Sequence, residues 1–126
     1  MKALVVDDSM VMRKILIGVL AQAGITEVVQ AADGQECVNA VMAQDFGLIL
    51  MDWNMPKMLG IDALKAIRAS GKKVPVIMVT TEAEKSRVVE AIKAGANSYI
   101  IKPFEPSLIV TKIKSVLDKA AVPAAS

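Results

Sequence analysis

Three aspartates stand directly after apolar runs: Asp7 and Asp8 close "ALVV", and Asp52 closes "ILM". Two other polar groups hold the same kind of place, Thr80 after "VIMV" and Lys102 after "SYII". Carboxylates bind hard divalent cations through oxygen. With a cation, an ammonium and a hydroxyl beside them, they can position a phosphoryl group and stabilise its transfer. A carboxylate can itself be the nucleophile, since aspartyl phosphates are a known class of covalent intermediate. The sequence contains no histidine. That removes His-based acid–base catalysis, Ser-His-Asp and Cys-His nucleophile systems, and His metal sites. Any cation must be held by oxygen, which suits Mg²⁺, Ca²⁺ or Mn²⁺.

Each residue also has a plainer reading. Asp8 or Ser9 could cap a helix, Asp52 could be a turn residue, and Lys102 could be a solvated surface lysine. Thr81 and Glu84 have the spacing of a capping box for the next helix, which would leave Thr80 free. The functional reading rests on complementary groups at four strand ends together, because interacting charges cluster at functional sites.

The elements that must bring these ends together alternate along the chain. Ala3–Val6 reads as a strand, then Val11, Met12, Ile15, Leu16, Val19, Leu20 and Ala23 recur with helical spacing up to Gly24. Val28 and Val29 mark a second strand, "ADG" at 32–34 a turn, and Cys37, Val38, Val41 and Met42 a second helix. Leu48–Met51 is apolar at every residue, as expected of a strand covered on both faces. Ile61, Leu64 and Ile67 line a third helix closed near Gly71, and Val76–Val79 is a fourth strand. In the fourth helix Val88, Val89 and Ile92 are expected to face inward, with Gly95 ending it. Ser98–Ile101 is the fifth strand; Pro106 opens a last helix whose buried stripe is Ile109, Ile113, Val116 and Leu117.

Such alternation predicts an α/β fold, a doubly wound parallel sheet of five strands with five helices on its two faces. Right-handed crossovers leave few layouts, and one is the flavodoxin-like order 2-1-3-4-5. In that order strands 1 and 3 are neighbours and form the switch point where ligands bind, so the aspartates converge on one crevice. At an effective dielectric of about 20 and a spacing of about 5 Å, each carboxylate pair there costs about 3 kcal/mol, which a divalent cation would relieve.

With 126 residues the chain fits one domain. The domain is expected over 1–119, with a frayed tail at 120–126. Hydrophobic residues make up 54% and aromatic ones 3%, so the core is aliphatic, and the eight methionines read as core filler and loop packing. A net charge of +2 without a dense basic run speaks against nucleic acid. No apolar stretch approaches the roughly 20 residues that span a bilayer, and the chain opens on no signal peptide. The expectation is a cytoplasmic, monomeric protein with no membrane partner. The lone Cys37 cannot form an internal disulfide and reads as a small buried residue.

"VVDDS", "MDWNMP", "TT" at 80–81 and "YIIKPF" resemble the receiver domain of two-component response regulators, in that family's order and spacing, over residues 2–117. "DWNMP", "TTEAE" and the lack of an output domain are most similar to the family's stand-alone chemotaxis regulators. The flavodoxin-like strand order is this family's known fold, so the order expected above is not a prediction independent of the resemblance.

The resemblance implies that Asp52 is the phosphoacceptor, supplied by a histidine kinase, and that the missing histidine belongs to that partner. It implies Mg²⁺ bound directly by Asp8, Asp52 and the Asn54 backbone carbonyl, with Asp7 acting through water. Lys102 would bridge to the phosphoryl oxygens, and its bond to Pro103 is usually cis. Thr80 would move to hydrogen-bond the phosphoryl group, and Tyr99 would rotate into the vacated space. Asn54 and Glu82 match positions that tune dephosphorylation. The output surface would lie on helix 4, strand 5 and helix 5 near Lys85, Tyr99 and Lys112, although solvated helix charge is the plain reading of both lysines.

The implied role is a signalling protein that catalyses only its own phosphorylation and dephosphorylation and switches binding to a flagellar motor switch protein, with a separate phosphatase as an optional partner. The alternative is a phosphorelay intermediate that passes phosphate to a histidine phosphotransfer protein. A Mg²⁺-dependent phosphohydrolase with an aspartyl intermediate is disfavoured, because the sequence shows no obvious cap or substrate-specificity insertion. A flavin would meet an acidic crevice that repels its phosphate.

Overall fold

The computed structural model describes residues 1–121, with side chains through 119. Five strands alternate with five helices: β1 Lys2–Val6, α1 Met10–Gln22, β2 Glu27–Ala31, α2 Gly34–Ala43, β3 Leu48–Met51, α3 Gly60–Ala69, β4 Val76–Thr80, α4 Lys85–Ala94, β5 Ser98–Ile101 and α5 Pro106–Ala121. All strand pairs are parallel, in the order β2-β1-β3-β4-β5. Helix α5 runs two residues into the stretch read as a tail, and residues 122–126 lie outside the described residues.

Period-two alternation divides the core into two layers. On one face Leu4, Val6, Ile49, Met51 and Met78 pack with Cys37 and Val41 of α2, Ile61, Leu64 and Ile67 of α3, and Ala91 of α4. On the other, Ala3, Val5, Leu48, Leu50, Ile77 and Val79 pack with Leu16, Val19 and Leu20 of α1 and Ile109, Ile113 and Val116 of α5. Every residue of β3 is fully buried, as its apolar run predicts. Each such aliphatic side chain contributes about 1.5–3 kcal/mol of transfer free energy.

Two helices turn differently from the expected stripes. On α1, Val11 and Ile15 are exposed, while Leu16, Val19 and Leu20 are buried and Met12 and Ala23 pack beside them. The helix is apolar nearly all round, so periodicity alone does not choose its buried arc. On α4, Val89 and Ile92 point outward at 41% and 48% exposure, Val88 is half-buried, and Ala91 is the fully buried contact. Those four residues cover about 160° of the circumference at 100° per residue, and the sheet takes the Val88–Ala91 side. Among the methionines, Met51, Met55 and Met78 fill the core as expected, but Met10 and Met42 are exposed.

The capping box is also corrected. Helix α4 begins at Lys85 behind Glu84, which makes no side-chain cap hydrogen bond. Residues 81–84 remain in the loop, where other partners engage Glu82 and Thr80. At the start of α1, Ser9 is the cap, accepting from the Met12 amide. Gly24 and Gly95 stand just past their helices at φ 84° and 111°, where a side chain would be strained. Among the described residues, no helix is long and apolar enough to cross a membrane.

Candidate functional site

Register places the site. Val6 of β1 pairs with Met51 of β3, so the residues that follow, Asp7 and Asp52, leave the sheet side by side. The Asp52 amide donates to the Val6 carbonyl at 2.9 Å and the Asp7 amide to the Ala31 carbonyl at 3.1 Å, which extends the ladder one step beyond each strand. The Lys102 amide donates to the Thr80 carbonyl at 2.9 Å in the same way between β4 and β5. Four strand ends thus open onto one crevice at the β1/β3 switch point.

Within it, Asp7 is 1% exposed, Asp52 8% and Thr80 fully buried, while Asp8 sits exposed at the rim. The Lys102 Nζ lies 2.7 Å from Asp7 Oδ2 and 3.4 Å from Asp52 Oδ2, so one ammonium bridges two buried carboxylates. Carboxylate oxygens of Asp7, Asp8 and Asp52 all lie within 4.8 Å of one another. Burial pushes the Asp52 carboxyl above its ordinary value, and the Asp7 charge adds to the rise; Lys102, the Thr80 hydroxyl and the Trp53 amide oppose it. That amide donates to Asp52 Oδ1 at 2.7 Å.

A second network leads away from the crevice. The Glu82 amide donates to Thr80 Oγ1 at 3.2 Å, Asn54 Nδ2 donates to Glu82 Oε1 at 3.1 Å, and the Tyr99 hydroxyl donates to the Glu82 carbonyl at 2.6 Å. Thr80 is therefore engaged rather than free. Tyr99 is half-buried, and its phenol is pushed up to about 12, first by burial and then by the charges of Glu82 and Asp52. Lys85 stands exposed at the start of α4, and Lys112 is half-buried on α5, both outside the crevice. The Lys102–Pro103 peptide bond is cis.

Three contributors escape sequence reasoning. Arg13 reaches back from α1 to the Asp7 carbonyl at 2.7 Å. Asp33 is buried and caps α2 by accepting from the Glu36 amide. Gly60 opens α3 against the loop after β3, where its amide donates to Trp53 O and a Cβ would overlap the Asp52 carbonyl. A lone glycine shortly after "DWNMP" is the only signal the sequence carries for that close approach.

Residues 3–114 match the family model described as the response regulator receiver domain. The chain belongs to that family. This receiver domain is 44% identical over 120 residues to chemotaxis protein CheY1 of Helicobacter pylori, covering 93% of this chain and 97% of the relative. It is 40% identical to chemotaxis protein CheY of Pseudomonas aeruginosa, covering 94% and 98%. Among solved structures, Vibrio cholerae chemotaxis protein CheY4 superposes with a TM-score of 0.83 at 36% identity, covering 91% and 97%. A Francisella response regulator receiver domain superposes at 0.87 and 26%, covering 94% and 98%. The receiver domain is thus of the CheY type, a class of signalling proteins rather than of enzymes in the ordinary sense.

Proposed function

We propose that this receiver domain accepts a phosphoryl group on Asp52 from a phosphohistidine of a kinase, and that the change controls its binding to a flagellar motor switch protein. The observation that carries the proposal is the Lys102 ammonium between Asp7 and Asp52 in a crevice that also holds Asp8 and Thr80. In the transfer, an Asp52 carboxylate oxygen attacks phosphorus, the P–N bond to the donor imidazole breaks, and the imidazole leaves with its electron pair. Lys102 meets charge that develops on the phosphoryl oxygens. Burial raises the proton affinity of Asp52, and the Lys102 ammonium, the Thr80 hydroxyl and the Trp53 amide oppose that rise and favour the ionised carboxylate that attack requires.

The donor set fits Mg²⁺. It is all oxygen, and oxygens sharing one such ion stand about 3–4 Å apart, within small side-chain adjustments of the spacing here. Asp8, Asp52 and the Asn54 carbonyl would hold the ion, with Asp7 behind a water. When bound, it neutralises carboxylate repulsion and phosphoryl charge.

Phosphorylation adds about −1.5 to −2 charges and three strong acceptors. Thr80 Oγ1, now accepting from the Glu82 amide, is the donor placed to turn toward them. Its departure would loosen the Glu82 loop that Tyr99 and Asn54 hold. Moving a population from mostly inactive to mostly active needs about 5.5 kcal/mol, and charge-assisted hydrogen bonds supply about 1.5–3 kcal/mol each. Asn54 and Glu82, at the mouth, would tune water access and phosphate lifetime. The output surface would be α4, β5 and α5 around Lys85, Tyr99 and Lys112, in a cytoplasmic monomer.

Mass spectrometry after incubation with acetyl phosphate and Mg²⁺ should find one added phosphate, on Asp52, absent from Asp52→Asn. The phosphorylated form should bind a motor-switch peptide more tightly than the unmodified form. Phosphate on another residue would overturn the acceptor. Rapid transfer to a histidine phosphotransfer domain, with equal peptide affinity in both forms, would favour the phosphorelay role.

A further inference from the structure

Among the described residues Arg13 forms no ion pair with the crevice carboxylates, yet two nitrogens of its guanidinium are used. Its Nη1 donates to the Asp7 carbonyl at 2.7 Å, and its Nε donates to Gln30 Oε1 on β2 at 2.9 Å. The Asp7 carbonyl belongs to the planar peptide unit that joins Asp7 to Asp8. Anchoring that carbonyl sets the direction in which the chain presents Asp8. Asp8 needs such help, because it is exposed and its carboxylate has no ion-pair partner among the described residues. Asp7, by contrast, is held by Lys102 and by the Ser9 amide, which donates to its Oδ1 at 2.9 Å.

We propose that Arg13, held in turn by Gln30, is a positioning residue that aims the Asp7–Asp8 peptide so that the Asp8 carboxylate can bind a divalent cation with Asp52. This rests on the Mg²⁺ reading above. Groups that orient metal ligands from behind typically change metal affinity by about 10–100-fold when lost. The sign is diagnostic. A positive charge near carboxylates opposes cation binding, so removal of Arg13 acting through charge alone would tighten Mg²⁺ binding. Removal acting through position weakens it.

The test is a Mg²⁺ titration of the full chain at constant ionic strength, read by Trp53 fluorescence, with metal-free melting measured in parallel. Arg13→Ala should weaken Mg²⁺ binding about tenfold. Arg13→Lys keeps the charge but loses the two-armed donor, and should weaken it several-fold. Gln30→Ala breaks only the outer arm and should give a smaller loss of the same sign. Lys14→Ala, which removes an exposed charge from the same helix, should leave affinity unchanged or slightly tighter. Mg²⁺ binding by Gln30→Ala and Arg13→Lys as tight as by wild type would overturn the proposal, even if Arg13→Ala failed to fold. No saturable Mg²⁺ binding by the wild type would overturn the underlying cation reading, and the proposal with it.

Discussion

Lys102 carries the most electrostatic responsibility of any single residue here. Its side chain is 13% exposed and faces a 2% exposed partner on Asp7. Removing one member of a buried pair leaves the other charge uncompensated, at a cost of about 3–5 kcal/mol. Lys102→Met in metal-free buffer should therefore lose about 3 kcal/mol of stability in urea denaturation. Lys102→Met combined with Asp7→Asn should recover only part of the loss, because the Asp7 charge is then gone but the Asp52 carboxylate, which Lys102 also faces at 3.4 Å, stays uncompensated. Equal loss in single and double variants would mean that the lysine acts through packing. Cys37 behaves oppositely: burial pushes its thiol up to about 12, so it remains an uncharged part of the core.

At the scale of elements, α4 is attached lightly to the sheet. Its buried contact is the small Ala91, whereas α5 buries Ile109 and Ile113 almost completely. Val89→Ser and Ile92→Ser should each change stability by less than about 0.5 kcal/mol, while Ile113→Ala should cost about 2–5 kcal/mol. Comparable losses in all three, by denaturant midpoint, would restore the inward stripe expected from sequence. Under the proposed switch, a helix with few deep contacts, following a loop tied through Glu82, would be the element best able to shift if Thr80 changed partner. Its first turn is also linked to the loop after β3 by Arg87, whose guanidinium lies 5.5 Å over the Trp53 ring. Such a contact contributes about 0.5–1 kcal/mol at an exposed site.

The whole molecule is what brings distant aspartates together into a candidate cation site. Asp7 and Asp8 come from the end of β1 and Asp52 from the end of β3, so an unfolded chain holds no comparable cluster. Any ion bound there stabilises the fold by mass action. Mg²⁺ at 100 times its dissociation constant should add about 2.7 kcal/mol to the unfolding free energy, at matched ionic strength, and Asp52→Asn should abolish most of that gain. Unfolding curves unmoved by Mg²⁺ would contradict the metal reading whatever the family.

Much of this was legible in the chain. Strictly alternating apolar runs and turn residues determine a parallel sheet covered on both faces, because a run such as Leu48–Met51 has no polar side to show to water. Polar groups at strand ends mark one edge of that sheet, since parallel strands all point the same way. Tertiary structure alone decided which arc of α1 and α4 is buried, that Thr80 is engaged by Glu82 rather than free, that Gly60 lies against Asp52, and that Arg13 spans from Gln30 to the Asp7 carbonyl. Local pattern reports only that a residue is apolar or charged. The buried arcs and the reach of Arg13 to Gln30 depend on distances between separate elements, which exist only once the layers have packed. The Glu82–Thr80 bond and the approach of Gly60 to Asp52 are short-range contacts, set by loop backbone conformations that residue type alone does not specify.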